Sequence, residues 1–240
     1  MNNTARWALL AVCVLVPAVS FRVGGLALWI ILAAGYAVVA AGALYALHDD
    51  GELKAAFRYQ QGDPAIGLIT GVVLAYLFKG ATEYLIAPAN FLRACTVDGP
   101  LVDNPNTSGV HAFTELVRSH ACKALGRTAA LPSGPNRTLA TLGIAVLEEV
   151  AWRAGAQRWL SDRLGSTRGF VAAGALFPLS QLLTGNVSLA LLALPAGFLW
   201  AALARWRGSL VPSILSHAMF SYFLLGLWAP FQIRNVITLH

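Results

Sequence analysis

An all-α, polytopic bundle of transmembrane helices is the fold class this sequence predicts, and three observations predict it. Of 240 residues, 57% are hydrophobic and 12% charged, with a mean hydropathy of +0.63. That leaves too little polar surface to cover a soluble globule of this size. Apolar runs long enough to cross a hydrocarbon core, roughly twenty residues of helix, recur along the chain. Lys and Arg then gather on alternate connections between those runs, as the positive-inside rule requires.

The runs lie near residues 7–21, 25–47, 66–87, 139–157, 169–184, 186–204 and 209–229, about seven spans in all. The first, ARWALLAVCVLVPAVSF, has the charge pattern of a signal peptide, but no small-x-small cleavage site clearly follows it, so it is read as a helix. With the N-terminus in the cytoplasm, that side collects Arg6, Lys54, Arg58, Arg158, Arg163, Arg168, Arg205 and Arg207. The short connections opposite hold Arg22 and Arg234. A multi-pass protein of a cytoplasmic membrane, N-terminus inside and prokaryotic in its loop-poor economy, is therefore expected. The net charge of +6 follows from this asymmetry and needs no nucleic-acid partner.

The chain divides into N-terminal membrane helices (1–87), an extramembrane connection (88–138) and core membrane helices (139–229), integrated into one domain. In the connection, ACTVDGPLVDNPNTSG is rich in turn formers and reads as irregular loop. The following VHAFTELVRSHACKALG places Val110, Phe113, Leu116, Val117, Ala121, Ala124 and Leu125 at helical spacing. This predicts an amphipathic helix on the membrane surface, a lid, a substrate guide or simply a packed stabilising element. Cys95 and Cys122 both fall in this connection, where the outer side permits a disulfide.

The fourth run, LATLGIAVLEEVAWRAG, carries charges that a lipid-facing helix would not. A charged side chain at the centre of a span costs about 2.5–3.5 kcal/mol on insertion scales, so it faces a partner or a water-filled cavity. Glu149 and Arg153 stand four apart with the acid N-terminal, the favourable order for a pair on one helix face. Glu148 points about 100° away, and four residues on it meets Trp152, so its own helix offers it no partner. A carboxyl in such a pocket can hold a water and take its proton; on the structural alternative, both acids merely pair with polar groups of other helices. In the last run, RGSLVPSILSHAMFSYFLL, His217 lies mid-helix with Ser221 one turn later on the same face. Gln181, four residues after Phe177 in AGALFPLSQLLTG, is a third polar candidate. Counting depth from the ends of the runs puts Glu148, Gln181 and His217 at a common level.

With these residues in view, EEVAWR fits the EExxxR signature of the CPBP family, the CAAX proteases and bacteriocin-processing enzymes. The block PAGFLWAALARWRGSLVPSILSHAMFS is similar to that family's glycine-containing helix followed by its GSL…P…HAxxN element. The resemblance covers about residues 139–224. It implies a glutamic-type intramembrane endopeptidase without a cofactor, acting on membrane-embedded or lipidated protein substrates, for example in C-terminal processing or sorting of exported proteins. Carried over by position, Glu148 becomes the general base, Glu149 and Arg153 its structural support, and His217 the oxyanion-side residue. Two positions depart from the pattern. FPLSQ puts Gln181 where the family has histidine, and HAMFS puts Ser221 where it has asparagine. Glutamine orients a water but cannot exchange protons with it, and serine offers one donor of shorter reach. No HExxH occurs and one histidine lies within the spans, so a zinc site is not expected. A catalytically silent member that binds or regulates a membrane partner is the competing class, with a small transporter using Glu148 as an ion site behind it. Nothing in the sequence specifies a prenyl pocket or an oligomeric state.

Overall fold

The computed structural model describes residues 1–86, 95–96, 99–100 and 135–228. Helices α1 (Asn3–Val23) and α2 (Gly25–Asp49) form an antiparallel hairpin in which Val16 packs on Gly35 and Leu9 on Gly42. The short α3 (Leu53–Ala56) and the long α4 (Asp63–Ile86) follow. A two-residue antiparallel pair, Cys95–Thr96 with Gly99–Pro100, is described from the connection. The amphipathic helix expected at 110–125 lies outside the described residues, as does Cys122 of the disulfide that the connection permits.

The C-terminal half opens with α5 (Pro135–Glu149), which continues through a π-wound stretch (Val150–Gln157) into α6 (Arg158–Leu164). This rod begins before residue 139 and ends after 157, so the helix extends beyond the expected apolar run at both ends. Next come α7 (Ser166–Leu182), α8 (Val187–Arg207) and α9 (Val211–Ser221), the last running into a second π stretch, Tyr222–Trp228. Each expected run thus corresponds to a helical rod. Among the described residues, four helices are by themselves long and apolar enough to cross a membrane: Asn3–Val23, Gly25–Asp49, Asp63–Ala81 and Val187–Arg207. The chain is a helical, multi-pass membrane protein. Its many exposed leucines, valines and isoleucines, such as Leu15, Ile30, Ile69 and Leu77, suit an outer surface solvated by lipid tails.

Two close approaches set the frame around the centre. Gly67 and Gly71 of α4, spaced as small-xxx-small, bring that helix directly onto α9 at Pro212 and Ser216. Thr70, between them, hydrogen-bonds Ser216 Oγ at 3.0 Å. On the other side α7 and α8 pack together, and Gly197 leaves room for the Phe177 ring, whose Cδ1 would stand 2.7 Å from a Cβ there. Helix α2 packs along both α5 and the π stretch, which carries the first half of the chain onto the second.

One end of the bundle is laced by ion pairs. Arg6 meets Asp162 at 3.0 Å, Arg158 meets Asp50 at 2.9 Å and Glu52 at 3.0 Å, and Arg207 meets the fully buried Asp63 at 2.7 Å. Backbone closes the same end, with Leu210 N–H donating to Ala56 O at 2.8 Å.

Candidate active site

The acids of α5 end the regular α-helix. Immediately after Glu149 the backbone widens to π winding, a departure found disproportionately at functional sites. The expected pair forms across that junction: Arg153 Nε donates to Glu149 Oε2 at 3.2 Å, with both side chains fully buried. Arg153 also sits 5.5 Å over the Phe177 ring, whose electron-rich face favours a cation. Its Nη1 and Nη2 have no hydrogen-bond partner among the described residues.

The second oxygen of Glu149 reaches another helix. His217 of α9 holds Glu149 Oε1 through Nδ1 at 3.1 Å. A carboxylate can only accept, so the imidazole carries a proton on Nδ1. In the neutral ring this leaves Nε2 as an acceptor, and it stands 3.8 Å from Glu148 Oε2. The His217 ring is clamped from one face by Trp200 of α8, stacked at 3.7 Å between centroids and 15° between planes. Trp200 is itself fixed, donating from Nε1 to Ser216 Oγ at 3.2 Å and meeting Phe177 and Phe220 edge to face.

Glu148 is not partnerless, which corrects the expectation drawn from its own helix. The Tyr36 hydroxyl of α2 donates to Glu148 Oε1 at 2.9 Å, across 112 positions of chain. Local spacing cannot register a partner from a distant helix. The sequence signal available was Tyr36 itself, a phenol in a strongly apolar run whose hydroxyl must find an acceptor once buried. Trp200 and Ser216 were missed for the same reason.

The structure therefore brings together Glu148, Glu149, Arg153 and His217. Ser221 is buried one turn beyond His217, without a hydrogen bond from its side chain among the described residues. No hydrogen bond links the Gln181 side chain to Glu148 or His217. Depth counting assumed a helix continuing to 184, but α7 ends at Leu182, so Gln181 occupies the last turn and is half-buried. Beyond it the chain turns through Thr184 and Gly185, with Thr184 Oγ1 donating back to Gln181 O at 2.6 Å.

What this arrangement offers chemically is a carboxylate oxygen and an imidazole nitrogen facing one another, each immobilised through its other polar atom. Comparison with known proteins agrees with that composition. Residues 135–223 match the family model described as Type II CAAX prenyl endopeptidase Rce1-like. No curated protein and no solved structure matches the chain. The segment that carries Glu148, Glu149, Arg153 and His217 is thus the part of the chain that is similar to the Rce1-like endopeptidases.

Proposed function

We propose that the chain is an intramembrane endopeptidase in which Glu148 and His217 together hold and activate the attacking water. One observation carries this reading: Glu148 Oε2 and His217 Nε2 are 3.8 Å apart. That is too far for a direct hydrogen bond and suits a water set to one side of the line, donating one hydrogen to each. Glu149, compensated by Arg153, keeps the proton on Nδ1 and so keeps Nε2 free to accept. In this reading His217 works on the water side of the reaction, a role distinct from the oxyanion position that the resemblance implies.

The chemistry balances without a further reactant. Glu148 takes a proton from the water as its oxygen bonds to the scissile carbonyl carbon. The tetrahedral oxyanion so formed needs a donor, and the buried Ser221 hydroxyl, one helical turn beyond His217, is assigned that part. Collapse breaks the C–N bond, and the proton held by Glu148 passes to the leaving amine, restoring the carboxylate. The substrate class is a peptide bond of a membrane-embedded or lipidated protein.

The test uses purified protein in proteoliposomes with two quenched-fluorophore peptides, one bearing a farnesylated cysteine four residues from its C-terminus and one without lipid. Wild type cleaves at least one of them, and Glu148→Gln lowers kcat by about 100- to 10,000-fold, the span of general-base catalysis. Cleavage undiminished in Glu148→Gln would sink the mechanism. The glutamine at position 181, which cannot exchange protons with a water, favours a second reading, a silent family member that captures a membrane segment. Wild type that binds these peptides and hydrolyses neither would establish it.

A further inference from the structure

The family match covers residues 135–223, yet the hydroxyl that fixes Glu148 comes from α2, far outside it. We infer that Tyr36 is a positioning residue of the active site, which aims Glu148 Oε2 at the water by immobilising Oε1. The inference rests on the peptidase reading above and deepens it.

The argument starts from the freedom of a glutamate. Its terminal torsion is broad and roughly two-fold, so a carboxylate anchored only by its stem presents either oxygen over a wide arc. Around Glu148 the structure supplies one short contact, Tyr36 O–H to Oε1 at 2.9 Å, and one long one, His217 Nε2 to Oε2 at 3.8 Å. The short contact removes the arc and the long one leaves space for the reacting water. Tyr36 is well placed to be rigid, being 1% exposed on a helix that packs against both α5 and the π stretch. A phenol has a single proton, and in the described residues its one hydrogen bond from the side chain goes to Glu148.

The position also answers the chemistry of the departures. Where the family places histidine, this chain has Gln181, which makes no hydrogen bond to Glu148. The second anchor for the catalytic carboxylate therefore comes from α2. The N-terminal hairpin is then part of the enzyme's chemistry as well as its membrane scaffold.

The experiment compares wild type, Tyr36→Phe, Glu148→Gln and the double variant in the proteoliposome assay with the farnesylated and unlipidated peptides, alongside thermal melting. Tyr36→Phe still melts cooperatively, at a somewhat lower temperature, and keeps its KM, while kcat falls about 10- to 100-fold, as expected for loss of a hydrogen bond to a charged group that matters in the transition state. In the Glu148→Gln background the same substitution has no further effect on the residual rate, because Tyr36 acts through the carboxylate. A kcat within about twofold of wild type, or losses that multiply in the double variant, would overturn the inference and leave the peptidase reading intact. Wild type inactive on both peptides would instead overturn the peptidase reading, and this inference with it. Should Tyr36→Phe fail to fold, 3-fluorotyrosine introduced at position 36 replaces it. That strengthens the donor without changing the packing, and an unchanged kcat overturns the inference equally.

Discussion

His217 is constrained on three sides: Glu149 at Nδ1, Trp200 across its face, and Glu148 opposite Nε2. Gln181, by contrast, carries no such constraint, and this separates two residues that sequence motifs would treat as equals. Gln181→Ala is expected to leave kcat/KM within about threefold of wild type, since it removes no hydrogen bond to the reacting groups. Steady-state kinetics on the cleaved peptide checks this, and a loss beyond tenfold would return Gln181 to the catalytic machinery. The contrast also shows what was legible at this scale. Glu149 with Arg153 could be read from the sequence, because both partners lie on one helix at a fixed offset. The partners of Glu148 could not, because they come from α2 and α9 and are set by packing between helices. His217 was recognised as polar and misplaced only in its neighbours: its firm contact is with the second glutamate.

At the scale of elements, α4 and α9 meet through glycine, and that meeting sets the depth of His217. A Cβ at Gly71 would run into the Ser216 carbonyl and Met219, whereas one at Gly80, nine residues along the same helix, meets nothing within 4 Å among the described residues. Gly71→Leu therefore forces the helices apart, at a cost of about 1–3 kcal/mol or more in overpacking, while Gly80→Leu leaves melting unchanged. The displacement also disturbs Ser216, and through it the hydrogen bond that fixes Trp200 against His217. Melting and kcat should fall together in the first variant and in neither measure in the second; equal behaviour of the two variants would show that the α4–α9 contact is not close. Hydropathy located these rods well, because burial in lipid is written residue by residue. It did not foresee where α7 stops or that the backbone after Glu149 is π-wound, since both depend on local backbone hydrogen bonding that hydropathy does not encode.

Across the described residues, ion pairs gather at one end of the bundle. One end holds Arg6, Arg158 and Arg207 in ion pairs with Asp162, Asp50, Glu52 and Asp63, together with the connection between α6 and α7 and the end of α8. At the opposite end, where α1 passes into α2, Arg22 marks the turn. Acidic residues weigh little in setting orientation, so the ion pairs do not cancel the basic excess, and the arginine-rich end should face the cytoplasm. In a variant whose native cysteines are replaced, a single cysteine introduced as Val23→Cys or as Ser166→Cys reports on one end each, both sites being exposed. A membrane-impermeant maleimide added to intact cells is expected to label the first and spare the second until the membrane is opened. The reverse pattern would invert the topology. It would also change which compartment delivers the substrate, because the Asp63–Arg207 closure and the Leu210–Ala56 backbone bond seal the arginine-rich end just before α9 begins. With that end closed by ion pairs and hydrogen bonds, the proposed peptidase reading has a membrane-embedded segment approach Glu148 and His217 from between the helices, away from the arginine-rich end.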